Sequence, residues 1–228
     1  MTPGTDLLLL AVIGLDLFIA SSSRLRARIQ ACALQGLALA ALPLAVEGTG
    51  VLTASGRVVH VALAVTATLV LKAGAIPLAL TRAMHRSGVR REVEPFVSLH
   101  LSLLLTAILV GLAFYIGTAV LPRLPGVSPL GIPAGLATLL VGLYLTMSGR
   151  TALTQVIGYL VLENGVFIIG QMLLGEFPMV VEMGVLLDVL VAAMLMAVLA
   201  ASGPRDEAAT PGAPGAAALP FDRPGGSP

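Results

Sequence analysis

Seven apolar stretches of bilayer-spanning length, near residues 5–22, 28–46, 58–80, 96–120, 132–148, 152–174 and 178–200, take up most of this 228-residue chain. A chain built this way can hide its apolar side chains only in lipid and against one another. With 57% hydrophobic and 11% charged residues and a mean hydropathy of +0.99, it reads as an all-α integral membrane protein with about seven transmembrane helices. Pro95, Pro133 and Pro178 fall at or near helix starts, where a missing backbone N–H leaves no bond unmade.

Composition removes several classes of function. A net charge of +1, 4% aromatic residues and no Trp leave neither the basic field nor the stacking surface that nucleic acid requires. The single cysteine, Cys32, cannot form an intrachain disulfide, a four-cysteine cluster or the paired thiolates of a nickel–iron centre. The chain has no HExxH, paired CxxC, Walker loop, nucleophile elbow or dinucleotide fingerprint. Chemistry on a bound substrate therefore finds no support in the sequence, and any redox cofactor belongs on another chain.

Charge placement sets an expected orientation. The apolar run 7–20 is preceded by Asp6 and followed by Arg24, Arg26 and Arg28, which is the order of a first span with its N-terminus outside rather than of a cleaved signal. The connections after spans one, three and five then hold Arg24, Arg26, Arg28, Arg82, Arg86, Arg90, Arg91 and Arg150 on the cytoplasmic side. The tail adds Arg205 and Arg223, while only Arg57 and Arg123 lie outside and Lys72 is left in the membrane. Residues 202–228 contain six prolines and five glycines with little to bury and are expected to form a disordered cytoplasmic tail.

An odd number of spans lets the first three and the last three run in the same directions. The segment around Gln35 loosely resembles that around Glu163, and Leu71-Lys72 resembles Leu187-Asp188, as a parallel duplication would require. Similar Ala/Leu/Gly composition alone gives a comparable likeness. The resulting division is a three-helix unit with a basic cytoplasmic loop over 1–95, a linking helix and outer loop over 96–131, a second three-helix unit over 132–201, and the tail 202–228.

The candidates for function are the polar residues that the apolar runs carry at depth, because an ionised side chain at a bilayer centre costs about 2.5–3.5 kcal/mol even on the mildest scale. Glu163 sits about twelve residues into its span, roughly the hydrocarbon midplane. There it must be protonated, paired or facing a wet cavity. Tyr159, one turn earlier, lies within hydrogen-bonding reach, Asn164 supplies an adjacent amide, and Gln35 of the second span is a further supporting polar residue. Asp188 lies near mid-span, and Glu182, four residues past Pro178, is closer to the outer interface and to a helix N-terminus that favours an acid. Six residues apart, these two acids differ by about 9 Å in depth and about 120° in direction, so they form no local dyad.

Lys72 lies too deep to reach the cytoplasmic headgroups easily, and Pro77 five residues later is expected to kink its helix. Relay or counter-ion, snorkelling, and a salt bridge to a partner subunit are its three readings. Asp16, about six residues from the cytoplasmic end of the first span, is a weaker candidate within reach of Arg24 or water. His60 and His100 near helix ends read as interfacial. Gly158, Gly165 and Gly170 allow close helix approach, which in membrane proteins is most often packing.

The segment 150–173, with Leu153-Thr154-Gln155-Val156-Ile157-Gly158-Tyr159-Leu160-Val161-Leu162-Glu163-Asn164-Gly165, followed by Pro178-Met179-Val180-Val181-Glu182 and Leu187-Asp188-Val189-Leu190-Val191, resembles the membrane subunit family called hydrogenase-4 component E. About residues 5–200 fit that family's length and seven-helix layout. The last three spans are similar to the K-type subunit of respiratory complex I and the C subunit of multi-subunit sodium/proton antiporters. The K-type pattern carries Gly-Leu-Glu with an Asn four residues after the Glu. Here Gly158-Tyr159-Leu160 leads to Asn164, so Leu160 stands in the acid's place and Glu163 follows nearly on the same face.

The resemblance implies a non-catalytic, multi-pass subunit of a prokaryotic inner-membrane complex of the hydrogenase-4 or formate-hydrogenlyase type. Antiporter-like membrane subunits and a peripheral hydrogenase module would be its partners, and they would carry the nickel–iron centre and iron–sulfur clusters. Glu163, Asp188 or Glu182, Lys72 and Asp16 would be the proton-transfer groups, supported by Tyr159, Asn164 and Gln35. A stand-alone transporter that binds an ion or solute through the same acids, and a structural adaptor whose protonated acids staple helices, are the rival readings.

Overall fold

A computed structural model describes residues 3–47, 62, 65–66, 68–87, 98–120, 128–173, 189–191, 193–194 and 197. Every regular element among them is helical: α1 (Pro3–Ser21), α2 (Leu25–Glu47), a π-helical segment (Leu69–Ala75) running into α3 (Ile76–Ser87), α4 (Leu99–Tyr115) running into a second π-helical segment (Ile116–Val120), α5 (Gly131–Ser148) and α6 (Ala152–Leu173). Five stretches are long and apolar enough to cross a membrane: Pro3–Ser21, Leu25–Val46, His100–Ala119, Gly131–Ser148 and Ala152–Leu173. The expected span 58–80 is described mainly from residue 68 and continues as helix to Ser87. The expected span 178–200 and the tail 202–228 lie largely or wholly outside the described residues.

The inward faces follow from helical spacing. In α1 the buried residues Thr5, Leu9, Val12, Ile13, Asp16, Ile19 and Ala20 recur every three or four positions, while Leu7, Leu10 and Phe18 face outward. Arg28 Nε donates to the Ser22 carbonyl at 2.7 Å and closes the turn between α1 and α2. Thr5 Oγ1 donates to the Ala45 carbonyl at 3.1 Å and ties the far ends of the same two helices.

The α5–α6 hairpin is the most intimate contact. Its turn is capped reciprocally, Thr154 N donating to Thr151 Oγ1 and Thr151 N to Thr154 Oγ1, each at 3.2 Å. Gly142 and Gly158 then let backbone meet backbone. A Cβ at Gly142 would collide with the backbone of Leu162, and one at Gly158 with the backbone of Thr146. Sequence reasoning marked Gly158 and Gly165 but not their counterpart Gly142.

Lys72 lies in the π-helical segment, where the Ile76 N–H reaches back to the Leu71 carbonyl, five residues earlier. Pro77 follows at once. Because its ring nitrogen cannot donate to the Ala73 carbonyl, the ladder is already broken there, and a widened turn accommodates the break. The expected proline disturbance is thus present as a π-turn that carries the lysine.

Two apolar clusters form the core. One gathers Ile19, Leu25, Ile29, Leu80, Val141, Leu145, Ile157 and Val161, with neighbours. The other gathers Leu9, Val12, Ile13, Leu39, Leu42, Ala134, Phe167 and Ile168. Along each of α1, α2, α5 and α6 one cluster occupies one half and the other cluster the opposite half. What lies between them is the site.

Candidate proton-handling layer

At the level where the two clusters part, α1, α2, α5, α6 and the π-helical segment contribute polar side chains. α1 supplies Asp16, α2 Gln35, the π-helical segment Lys72, α5 Thr138, and α6 Glu163 and Asn164; all six are buried. Burial on a membrane helix would be prohibitive for such groups singly, and here they bond to one another. Lys72 Nζ lies 2.6 Å from Glu163 Oε1 and donates to Asn164 Oδ1 at 3.1 Å. Asn164 Nδ2 donates to Gln35 Oε1 at 3.4 Å, and Gln35 Nε2 donates to Asp16 Oδ1 at 2.6 Å. Thr138 Oγ1 donates to Asp16 Oδ2 at 2.7 Å.

The local fold explains how these groups meet. Gly36, beside Gln35, lets the Lys72 segment press against α2, since a Cβ there would stand 2.8 Å from the Lys72 Cβ. Phe167, one turn beyond Glu163, sets its ring 5.6 Å from the Lys72 ammonium, a cation–π contact that covers the pair on the side of the second cluster. Glu163 therefore occupies the position that the lysine can reach. Leu160, which stands where the K-type pattern has its acid, is buried in the first apolar cluster instead.

Five sequence candidates, Glu163, Lys72, Asp16, Asn164 and Gln35, thus come together in one hydrogen-bonded layer. Tyr159 stays outside it: half-buried, it packs against the first cluster and, among the described residues, makes no hydrogen bond with Glu163. Asp16 is not reached by Arg24, which is exposed; the acid faces inward on the same stripe as Val12 and Ile19 and takes its partners from α2 and α5. Asp188, Glu182 and His60 lie outside the described residues, and His100 is exposed near the start of α4. Among the described residues no group of three or more His, Cys, Asp or Glu side chains could hold a metal ion.

Thr138 and Gly36 were not singled out from sequence. A threonine in a membrane helix commonly bonds its own preceding turn, as Thr106 does to the Ser102 carbonyl at 2.8 Å, so its residue type carried no signal.

Comparison with known proteins places the chain among relatives. Over 176 residues, 77% of each chain, it is 36% identical to the Mycobacterium tuberculosis protein "Uncharacterized protein Rv0085". The chain belongs to the family of Rv0085. It is also 30% identical over 126 residues to hydrogenase-4 component E of Escherichia coli K12 and of Shigella flexneri, a distant homology covering 55% of this chain. It spans 58% of the length of those two proteins. No protein-family profile and no solved structure matches. Five apolar helices of spanning length and the distant homology to hydrogenase-4 component E together fit a membrane protein.

Proposed function

We propose that this chain is a non-catalytic membrane subunit of a hydrogenase-4-type redox complex related to complex I, and that its buried lysine and acids hand on protons. The observation that carries the reading is the Lys72–Glu163 pair at 2.6 Å inside a polar layer bounded on both sides by apolar clusters. Among the described residues, apolar clusters lie on both sides of the layer along the helix axes. A proton held there is better placed to move sideways, between helices and toward a neighbouring subunit, than from one aqueous side to the other. The homology to hydrogenase-4 component E supplies the kind of complex.

In this reading the chain crosses a prokaryotic inner membrane seven times, with its N-terminus outside and its C-terminus in the cytoplasm. Spans one to three and five to seven would be parallel units. Antiporter-like subunits would adjoin the layer, and a peripheral hydrogenase module would hold the nickel–iron centre and iron–sulfur clusters. Asp188 or Glu182 would continue the path from Glu163.

The first test is mass spectrometry of what co-purifies with the tagged chain from native membranes in mild detergent. Antiporter-like and hydrogenase-like subunits are the expected result. Recovery of the chain alone after gentle cross-linking, together with ion or solute transport by the purified chain in liposomes, would overturn the reading in favour of a self-sufficient transporter.

A further inference from the structure

The amides between Lys72 and Asp16 all point one way. An ammonium only donates, so Asn164 must present its oxygen to Lys72 and its NH2 to Gln35. Gln35 must in turn present its oxygen to Asn164 and its NH2 to Asp16. The three bonds, at 3.1, 3.4 and 2.6 Å, therefore run head to tail from a cation to a carboxylate, with every amide dipole aligned along the line. Lys72 is shared: it touches Glu163 directly and Asp16 through two amides.

Carboxamides polarise but do not release protons under ordinary conditions, so this line transmits charge without conducting H+. Asp16 nevertheless has the means to hold a proton. Thr138 Oγ1, at 2.7 Å from Asp16 Oδ2, is donor and acceptor in one atom. When Asp16 takes up one H+, exchanged slowly with the buffer across the apolar seal, Oδ2–H donates to Thr138 Oγ1 with no heavy atom displaced. The threonine hydrogen then turns away, its own preceding helical turn offering a carbonyl.

We propose that Asp16 is a second proton-holding carboxylate of the layer, coupled to Glu163 through the Lys72–Asn164–Gln35 line, so that each acid senses whether the other carries a proton. This rests on the reading that the Lys72–Glu163 pair handles protons, and it assigns Gln35 and Asn164 as positioning residues rather than carriers.

Infrared difference spectroscopy of the full chain in liposomes, recorded between acidic and alkaline buffer, tests the coupling. Glu163→Gln identifies the Glu163 carboxyl band by its loss, and Asp16→Asn identifies that of Asp16. The expected result is that Asp16→Asn also shifts the Glu163 band, that the two single-variant difference spectra fail to sum to that of the double variant, and that Gln35→Leu abolishes the cross-effect.

A Glu163 band untouched by Asp16→Asn would overturn the coupling while leaving proton handling by Glu163 intact. The absence of any titrating Glu163 band would overturn both. Should Asp16→Asn not insert, Thr138→Val takes its place. It removes one partner of Asp16, and the Glu163 band must shift for the proposal to stand.

Discussion

Lys72 Nζ and Glu163 Oε1 lie 2.6 Å apart although 91 residues separate them in the chain, and each side chain is at least 95% buried. A pair so enclosed is far more sensitive to losing one member than to losing both. Removing a single partner of a buried ion pair typically costs about 3–5 kcal/mol because a charge is stranded, whereas an apolar replacement of both is close to neutral.

Lys72→Met and Glu163→Leu should therefore each lower the thermal midpoint of the detergent-solubilised chain, and the double variant should recover most of the loss. Fluorescence-detected size exclusion after heating reads this directly. Equal damage from singles and double would mean that the pair adds nothing beyond its packing.

The isosteric change Glu163→Gln keeps shape and one acceptor while removing the titratable carboxylate. Under the proposed function, proton translocation coupled to electron transfer in native membranes should fall by about 10²-fold or more, the scale of losing a positioned acid–base group. Electron transfer to an artificial dye should persist. A silent variant would make Glu163 a helix staple, and equal loss of both activities would indicate failed assembly.

Gly36 has no room for a methyl group: a Cβ would stand 2.8 Å from the Lys72 Cβ and 2.9 Å from its carbonyl carbon. Gly36→Ala should push the π-helical segment away from α2 and lengthen the Lys72–Asn164 contact, with a destabilisation of about 1–3 kcal/mol typical of overpacking. Gly111, whose surroundings are open, is the control, and Gly111→Ala should be neutral or gain up to about 1 kcal/mol from helix propensity. Matching melting curves for the two alanine variants would contradict the close approach at Gly36.

Much of the layer's membership was legible in sequence, and little of its wiring was. Glu163, Lys72 and Asp16 stand out because apolar helices tolerate charge only where something answers it. The spans near 5–22, 28–46, 132–148 and 152–174 agree within a few residues with α1, α2, α5 and α6, since a run of some twenty apolar residues leaves little choice. Which group answers which is a property of packing. Sequence proximity offers Asp16 either Arg24 or water, yet the inward face of α1 delivers the acid to Gln35 and Thr138. The π-turn under Lys72 was legible only as Pro77, a break whose form a sequence does not specify.

The seal around the layer makes the sharpest demand. Val141 of α5 lies one turn beyond Thr138, fully buried in the first cluster beside Ile157 and Val161. A polar amide there brings donors and acceptors that only water can satisfy once the apolar neighbours have none to offer, at a stability cost of about 1–3 kcal/mol. Val141→Asn should therefore draw water toward Asp16 and Thr138 and join the layer to one aqueous side. Liposomes carrying the variant should dissipate an imposed pH gradient faster than those carrying the parent chain, as read by an entrapped pH-sensitive dye. Ile108→Asn, on the exposed face of α4, should not have this effect, because Ile108 belongs to neither of the buried clusters that flank the layer. If both variants leaked equally, the cause would be a disturbed bilayer; if neither did, the apolar cluster would not be what keeps the layer dry.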